Sequence, residues 1–132
     1  MSEAKAYLEI AERALSAAAG VFTKGVHEKA TFLGYHAFES IGGAFCRSRG
    51  IAYPLGHKSK ISRFAHEARH ERYAIQVAKL AISYGSLRNM VLYPAVLAGG
   101  TVQVPKNVIS DAQARRLIGR TDSLVKRVKP DV

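Results

Sequence analysis

The stretch AKAYLEIAERALSAAAGVF, residues 4–22, decides the fold class of this chain. Its apolar positions follow one another at alternating steps of four and three residues: Ala4, Leu8, Ala11, Leu15, Ala18 and Phe22. Because an α-helix has about 3.6 residues per turn, such steps place side chains on one stripe of its surface. The spacing therefore predicts an amphipathic first helix from about Ser2 to Phe22.

The same spacing returns after the break at Lys24-Gly25 and predicts a second helix that ends near Gly50. Its apolar stripe, widened by two phenylalanines, consists of Ala30, Leu33, Ala37, Phe38, Ile41, Ala44 and Phe45. Residues 51–56 contain a proline and a glycine, which predict a connecting loop. A short third helix follows, and its apolar positions are Ile61, Phe64, Ala65 and Ala68.

A fourth helix has apolar side chains on two sides, which predicts a central place in the bundle. One stripe consists of Val77, Leu80, Tyr84, Leu87 and Val91, and the other of Ile75, Ala78 and Ile82. Pro94 disfavours a helical conformation at Tyr93. Residues 98–108 contain two glycines and a proline and predict a loop, in which only Thr101 to Val104 alternate as a strand would.

The last helix is predicted to begin at Ser110-Asp111-Ala112-Gln113, which has the form of a capping box. Its inward face consists of Leu117, Thr121, Leu124 and Val128. The sequence thus predicts an all-α fold, a single domain over residues 1–132 built as an antiparallel up-and-down bundle of five helices.

The composition limits the chain to one soluble domain. With 132 residues, 48% of them hydrophobic, the chain can bury one core but is too short for two independent domains. Its apolar runs fall short of the roughly 20 residues that span a bilayer, and its N-terminus lacks the basic start of a signal peptide. The single cysteine, Cys46, can form no internal disulfide. We therefore expect a cytoplasmic protein.

The formal charge of +10 is concentrated in the later helices. Residues 1–40 hold four Lys or Arg against five Asp or Glu, net −1, whereas residues 41–132 hold sixteen against five, net +11. A basic surface attracts polyanions. The densest basic stretch supplies the candidates for binding phosphate or RNA: His57, Lys58, Lys60 and Arg63. The alternative interpretation is a solvated helix face.

The segment LRNMVLYP, residues 87–94, carries the most informative motif. It is preceded by Tyr35-His36-Ala37-Phe38 and Gly56-His57-Lys58, and a proline-containing loop and a last helix follow it. In this order of motifs the chain resembles the HEPN family of small bacterial and archaeal helical proteins, over essentially its whole length. HEPN domains carry Arg, often followed by Asn or another polar residue, with four residues in all before a His. Here Arg88-Asn89 is present, and Tyr93 stands at the position of the His.

The resemblance implies metal-independent cleavage of RNA, with no cofactor, by a homodimer whose Arg-containing helices face a shared cleft. Arg88 would hold the phosphate, because guanidinium offers phosphate two parallel hydrogen bonds and stays charged. Tyr93, Asn89 and His57 would line the cleft. Tyrosine is a poorer base than histidine, since their unperturbed pKa values are about 10 and about 6.5.

Two alternatives remain open at this motif. The family also implies a non-catalytic module that binds a nucleotide or a small nucleotidyltransferase partner, and such a partner can modify a tyrosine near the Arg motif, here Tyr93. Alternatively, Arg88 neutralises the carbonyls at the helix end and Tyr93 packs over the bundle. An ideal helix separates positions 88 and 93 by about 140°, so they converge only if the helix ends before Tyr93.

His66-Glu67-Ala68-Arg69-His70 matches the HExxH pattern of zinc enzymes. We interpret it as an exposed polar helix face, because no third ligand pattern follows downstream. No metal site is predicted.

Overall fold

The computed structural model describes all of residues 1–132, and five α-helices make up most of the chain. They are α1 (Glu3–Thr23), α2 (His27–Ser48), α3 (His57–Glu67), α4 (Ala74–Leu87) and α5 (Asp111–Val128). Between α4 and α5, β1 (Ala95–Val96) pairs with β2 (Val102–Gln103) in a small antiparallel hairpin. Single 3-10 turns occupy Pro105–Asn107 and Lys129–Asp131. The prediction of an all-α bundle of five helices is confirmed.

The ends of the first and last helices follow from local hydrogen bonding. Ser2 caps α1 by accepting a hydrogen bond from the Lys5 backbone at 3.2 Å. At the start of α5, the Gln113 backbone donates to Ser110 Oγ at 3.1 Å, and Gln113 Oε1 accepts from the Ser110 backbone at 2.9 Å. The predicted capping box is therefore present, and the inward face predicted for α5 is buried. Each bond links residues three apart, so these features are local in the sequence.

Helix α2 lies at the centre of the bundle and packs against α1, α3 and α5. Its residues from Gly34 to Cys46 are buried on every side except at His36. The prediction that the fourth helix is central is wrong. Only one of its two apolar stripes turns inward, and the other leaves Ile75 71% and Ile82 76% exposed. Periodicity shows that a stripe is apolar but not whether the same chain covers it.

Close packing around α2 depends on glycine. A Cβ atom at Gly42 would lie 2.6 Å from the Tyr53 hydroxyl and 2.8 Å from the Phe64 ring. The absence of a side chain lets Tyr53 reach α2, where its hydroxyl donates to the Glu39 backbone carbonyl at 2.6 Å. The loop before α3 is thereby fixed against the middle of α2.

The predicted loop at residues 98–108 contains regular structure. Its strand-like alternation includes β2, which completes the hairpin, and a 3-10 turn follows. Two glycines with positive φ, Gly99 at 88° and Gly100 at 86°, form the connection between the strands. The residues predicted as a loop thus include a two-residue strand and a 3-10 turn, and glycine-rich composition could not show whether the flanking residues pair.

Helix α3 ends at Glu67, so His66 and His70 do not share a helical face as the HExxH pattern would require. No group of three or more His, Cys, Asp or Glu side chains is placed to hold a metal ion. None of the five helices is both long and apolar enough to cross a bilayer.

Candidate functional site

A groove of about 670 Å³ runs between α3 and the C-terminal half of α4. Its walls are apolar, with Ile61 and Ala65 on α3 facing Ala78, Ala81 and Ile82 on α4. Polar and charged side chains are added by Tyr35, His57, Lys58, Ser62, Arg88 and Asn89. The groove thus combines an apolar wall with polar groups contributed by α2, α3 and the end of α4.

A buried carboxylate, Glu39 of α2, lies beneath this groove with its side chain only 7% exposed. Its Oε2 accepts a hydrogen bond from the Tyr35 hydroxyl at 2.5 Å and lies 2.8 Å from His57 Nδ1. Its Oε1 accepts from Lys60 Nζ at 3.3 Å. A buried charge is tolerated only where hydrogen bonds and opposite charge replace water, and Glu39 has both.

The surroundings keep Glu39 ionised and Tyr35 protonated. Burial by itself would raise the pKa of Glu39, but hydrogen bonds from Tyr35 and His57 and the charge of Lys60 together lower it. Burial raises the pKa of Tyr35 well above its ordinary value, and the hydrogen bond to Glu39 raises it further. The carboxylate is therefore an acceptor, and the tyrosine hydroxyl is a donor, at neutral pH.

Arg88, the C-cap residue of α4, presents an uncompensated positive charge to the groove. It takes part in none of the ion pairs of the protein, and its guanidinium lies 5.7 Å from the centroid of the Tyr35 ring. Its Nη1 donates to Asn89 Oδ1 at 2.8 Å, whereas its buried Nε has no hydrogen-bond partner. The buried Nε is out of reach of a ligand, but the guanidinium as a whole lines the groove without a carboxylate partner and can bind an anion there.

The net charge of the site is positive. Lys58 lines the groove without an acidic partner, and Lys60 shares the single carboxylate of Glu39 with His57. With Arg88 included, three fixed positive charges stand against one negative charge. A partly enclosed, apolar-walled groove of this kind concentrates the field on an anion inside it.

Tyr93 lies outside the groove. Helix α4 ends at Leu87, which satisfies the condition that the helix stop before Tyr93, and a turn follows in which the Tyr93 backbone donates to Asn89 at 2.9 Å. The Tyr93 side chain is 60% exposed and does not line the groove. The structure therefore brings Arg88 and Asn89 together with His57 and Lys58, and leaves Tyr93 apart from them.

The other two predicted phosphate-binding residues have acidic partners. Lys60 pairs with Glu39, and Arg63 pairs with Glu67 one turn along α3 at 3.5 Å, away from the groove lining. Sequence reasoning missed Glu39. The only available signal was an acidic residue between Phe38 and Ile41 in an otherwise apolar stretch, and a charge there is rare unless it is paired.

Comparison with protein-family models, with curated proteins and with solved structures finds no match to this chain. Fold and site together define an all-α helical-bundle protein with a positively charged groove beside the end of its fourth helix.

Proposed function

We propose that the protein is a HEPN-like, metal-independent ribonuclease that holds an RNA phosphodiester at Arg88 in the groove between α3 and α4. The observation that carries this proposal is the guanidinium of Arg88, which lines the groove and has no carboxylate partner. Phosphate oxygens would accept from this group and replace the missing partner.

The neighbouring residues support a phosphate at this position. Asn89 accepts from Arg88 Nη1 and so orients the guanidinium, and Lys58 adds a second free cation at the groove. The apolar walls formed by Ile61, Ala65 and Ala81 offer surface on which a base or ribose can pack. The excess of positive charge over residues 41–132 favours approach of a polyanion.

We also propose that two copies of the chain associate through α4. The exposed stripe of Ile75, Ala78 and Ile82 lies on one face of the helix, and Ala78 and Ile82 also belong to the groove wall. An apolar face that no part of the same chain covers is typical of an interaction surface. A homodimer formed here would bring two Arg88 side chains towards one cleft.

The proposed place of action is the cytoplasm. The lone Cys46 is buried, and this burial raises the pKa of its thiol to about 11. Such a thiol remains protonated and unreactive, as expected of a core residue in a reducing compartment.

The test is cleavage of a mixed structured RNA by the purified protein in EDTA, beside Arg88→Ala and the control Arg13→Ala. Both variants lose one positive charge, but Arg13 lies exposed on α1 and does not line the groove. We expect Arg88→Ala to lose at least 100-fold in cleavage rate, because a phosphate-positioning charge stabilises the transition state. Equal rates for all three proteins would refute the proposal.

A second candidate function is favoured by the exposure of Tyr93. A tyrosine that is 60% exposed beside the Arg motif is accessible to a modifying enzyme. The protein would then be a non-catalytic module that binds a nucleotide or a nucleotidyltransferase partner, which transfers a nucleotide to Tyr93. Intact-mass measurement of the protein purified from its native cells tests this. A mass increase of one nucleotide, absent in Tyr93→Phe, supports the module, and an unchanged mass refutes it.

A further inference from the structure

The Glu39 carboxylate and the His57 imidazole form a pair whose second ring nitrogen is directed away from the carboxylate. His57 Nδ1 lies 2.8 Å from Glu39 Oε2. Because the ionised carboxylate can only accept, Nδ1 carries the proton in this bond. The proton of a neutral imidazole is then on Nδ1, and Nε2 has a free lone pair. His57 lines the groove with half of its side chain exposed, whereas Glu39 is buried.

Two helices hold this pair in place. Glu39 lies in the buried middle of α2, and His57 is the first residue of α3. The Tyr35 hydroxyl donates to the same Oε2, and the Tyr53 hydroxyl donates to the Glu39 backbone carbonyl. A carboxylate held by its neighbours can in turn hold an imidazole in one tautomer and orientation, as a general base requires.

The Glu39–His57 pair and the guanidinium of Arg88 both lie near the ring of Tyr35. The centroid of the Tyr35 ring lies 6.3 Å from that of His57 and 5.7 Å from the Arg88 guanidinium carbon. Both His57 and Arg88 line the groove. A base on α3 and a phosphate-binding cation at the end of α4 therefore share one site, although 31 positions separate them in the sequence.

We propose that His57 is the general base of the RNA cleavage and that Glu39 and Tyr35 are its positioning residues, so that Tyr93 is not needed for proton transfer. This inference rests on the proposed ribonuclease activity. His57 Nε2 takes the proton of the ribose 2′-hydroxyl as the O2′–P bond forms and the P–O5′ bond breaks. The departing 5′-oxygen takes a proton from water, and the imidazolium later returns its proton to solvent. The products are a 2′,3′-cyclic phosphate and a 5′-hydroxyl.

The charged and titratable groups around His57 come from each neighbouring element. Glu39 and Tyr35 face it from α2, Lys58 and Lys60 follow it on α3, and Arg88 lies across the groove. Of these groups, only the imidazole must lose its positive charge to act as a base. The cleavage rate should therefore decrease as the pH is lowered. This decrease, the acid limb of the pH–rate profile, should disappear when His57 is replaced.

The experiment compares single-turnover cleavage rates over a pH series for the wild type, His57→Ala, Glu39→Gln and the control His70→Ala. His70 is an exposed histidine beyond the end of α3 and outside the groove. We expect His57→Ala to lose on the order of 10²- to 10⁴-fold in rate, as is usual when a general base is removed. Added free imidazole should restore part of this rate. Glu39→Gln should lose on the order of 10- to 100-fold while keeping its acid limb.

Binding separates this inference from the ribonuclease proposal itself. An RNA with 2′-deoxyribose at the cleavage site cannot be cut, so its Kd measures phosphate binding alone. His57→Ala should bind this RNA within about twofold of the wild type, whereas Arg88→Ala should bind it at least tenfold more weakly. A His57→Ala variant that cleaves at the wild-type rate, while Arg88→Ala does not, overturns the role of His57 and leaves Arg88 in place.

Three further outcomes also count against His57. Loss of cleavage in Tyr93→Phe together with full activity in His57→Ala would assign the proton transfer to Tyr93. A wild type that binds RNA but never cleaves it would overturn both the general base and the nuclease, and would leave only an RNA-binding groove. A lowered rate in His57→Ala that imidazole does not restore, with an unchanged acid limb, would indicate a structural role alone.

Discussion

Helices α2 and α4 depart from the usual burial pattern in opposite directions. Helix α2 is buried from Gly34 to Cys46 on every side except at His36, yet it carries the carboxylate of Glu39 in this stretch. Helix α4 is more apolar, yet it exposes Ile75 and Ile82 to solvent. A buried charge and an exposed apolar face are the informative exceptions to the burial rule. The two exceptions meet at the groove, because Ile82 forms part of its wall and Glu39 holds His57, which lines it.

The largest stability effect is expected for Glu39→Ala on α2. The substitution removes the acceptor of Tyr35 and Lys60 and leaves their donors without a partner in a mostly buried site. We expect a loss of about 3 kcal/mol in the free energy of unfolding, since breaking a buried pair leaves an uncompensated charge. Urea denaturation measures it. Glu12→Ala is the control, because its ion pair with Lys129 is exposed and should contribute less than about 1 kcal/mol.

The next largest effect is a difference in stability between two glycine substitutions, one on α2 and one on α4. Gly42→Ala on α2 would place a methyl group against Tyr53 and Phe64, and we expect it to cost about 2 kcal/mol by overpacking. Gly85→Ala on α4 meets nothing within 4 Å and should instead stabilise by about 0.5 to 1 kcal/mol through helix propensity. Thermal unfolding of both variants checks the difference in sign. Equal effects would mean that the two helices are packed alike.

The charge on Glu39 should make stability depend on pH. Its pKa is lowered in the folded protein, so its contribution is present above the unfolded value of roughly 4.3 and is lost as the pH falls through the folded pKa. Glu39→Gln removes this titration while keeping an acceptor oxygen. Between pH 6 and pH 3 the wild type should therefore lose more stability than Glu39→Gln, as measured by urea unfolding at each pH. If the wild type and Glu39→Gln lost the same stability over this pH range, the result would contradict a lowered pKa of Glu39.

The smallest stability effect is expected on the outer face of α4. Ile82→Asp should change the free energy of unfolding of the monomer by less than about 0.5 kcal/mol, because the side chain is already exposed. It should nevertheless abolish the proposed homodimer, which sedimentation velocity detects. Lys79→Asp on the same helix provides a control for the added negative charge, since Lys79 lies outside the groove. A dimer that survives Ile82→Asp would rule out this face as the interface.

Much of the fold was predictable from short-range patterns. The five helices follow from apolar spacing, and the capping box of Ser110 and Gln113 fixes the start of α5, because these features link residues within four positions of one another. The candidate residues Arg88, Asn89, His57 and Lys58 were also named from the sequence, and they line one groove. The sequence could not show that Arg88 lacks an acidic partner, because the side chains around it in the groove come from other helices.

The sequence by itself determined the all-α class, the approximate helix bounds and the basic character of the later helices, since each depends on local spacing or on composition. Only the tertiary structure decided that Glu39 lies against His57, 18 positions away, that Tyr93 stays outside the groove, and that α2 rather than α4 is central. The physical reason is that hydrogen bonds within a helix and its caps span three or four residues. Solvent exposure and side-chain partners instead depend on which helices pack together.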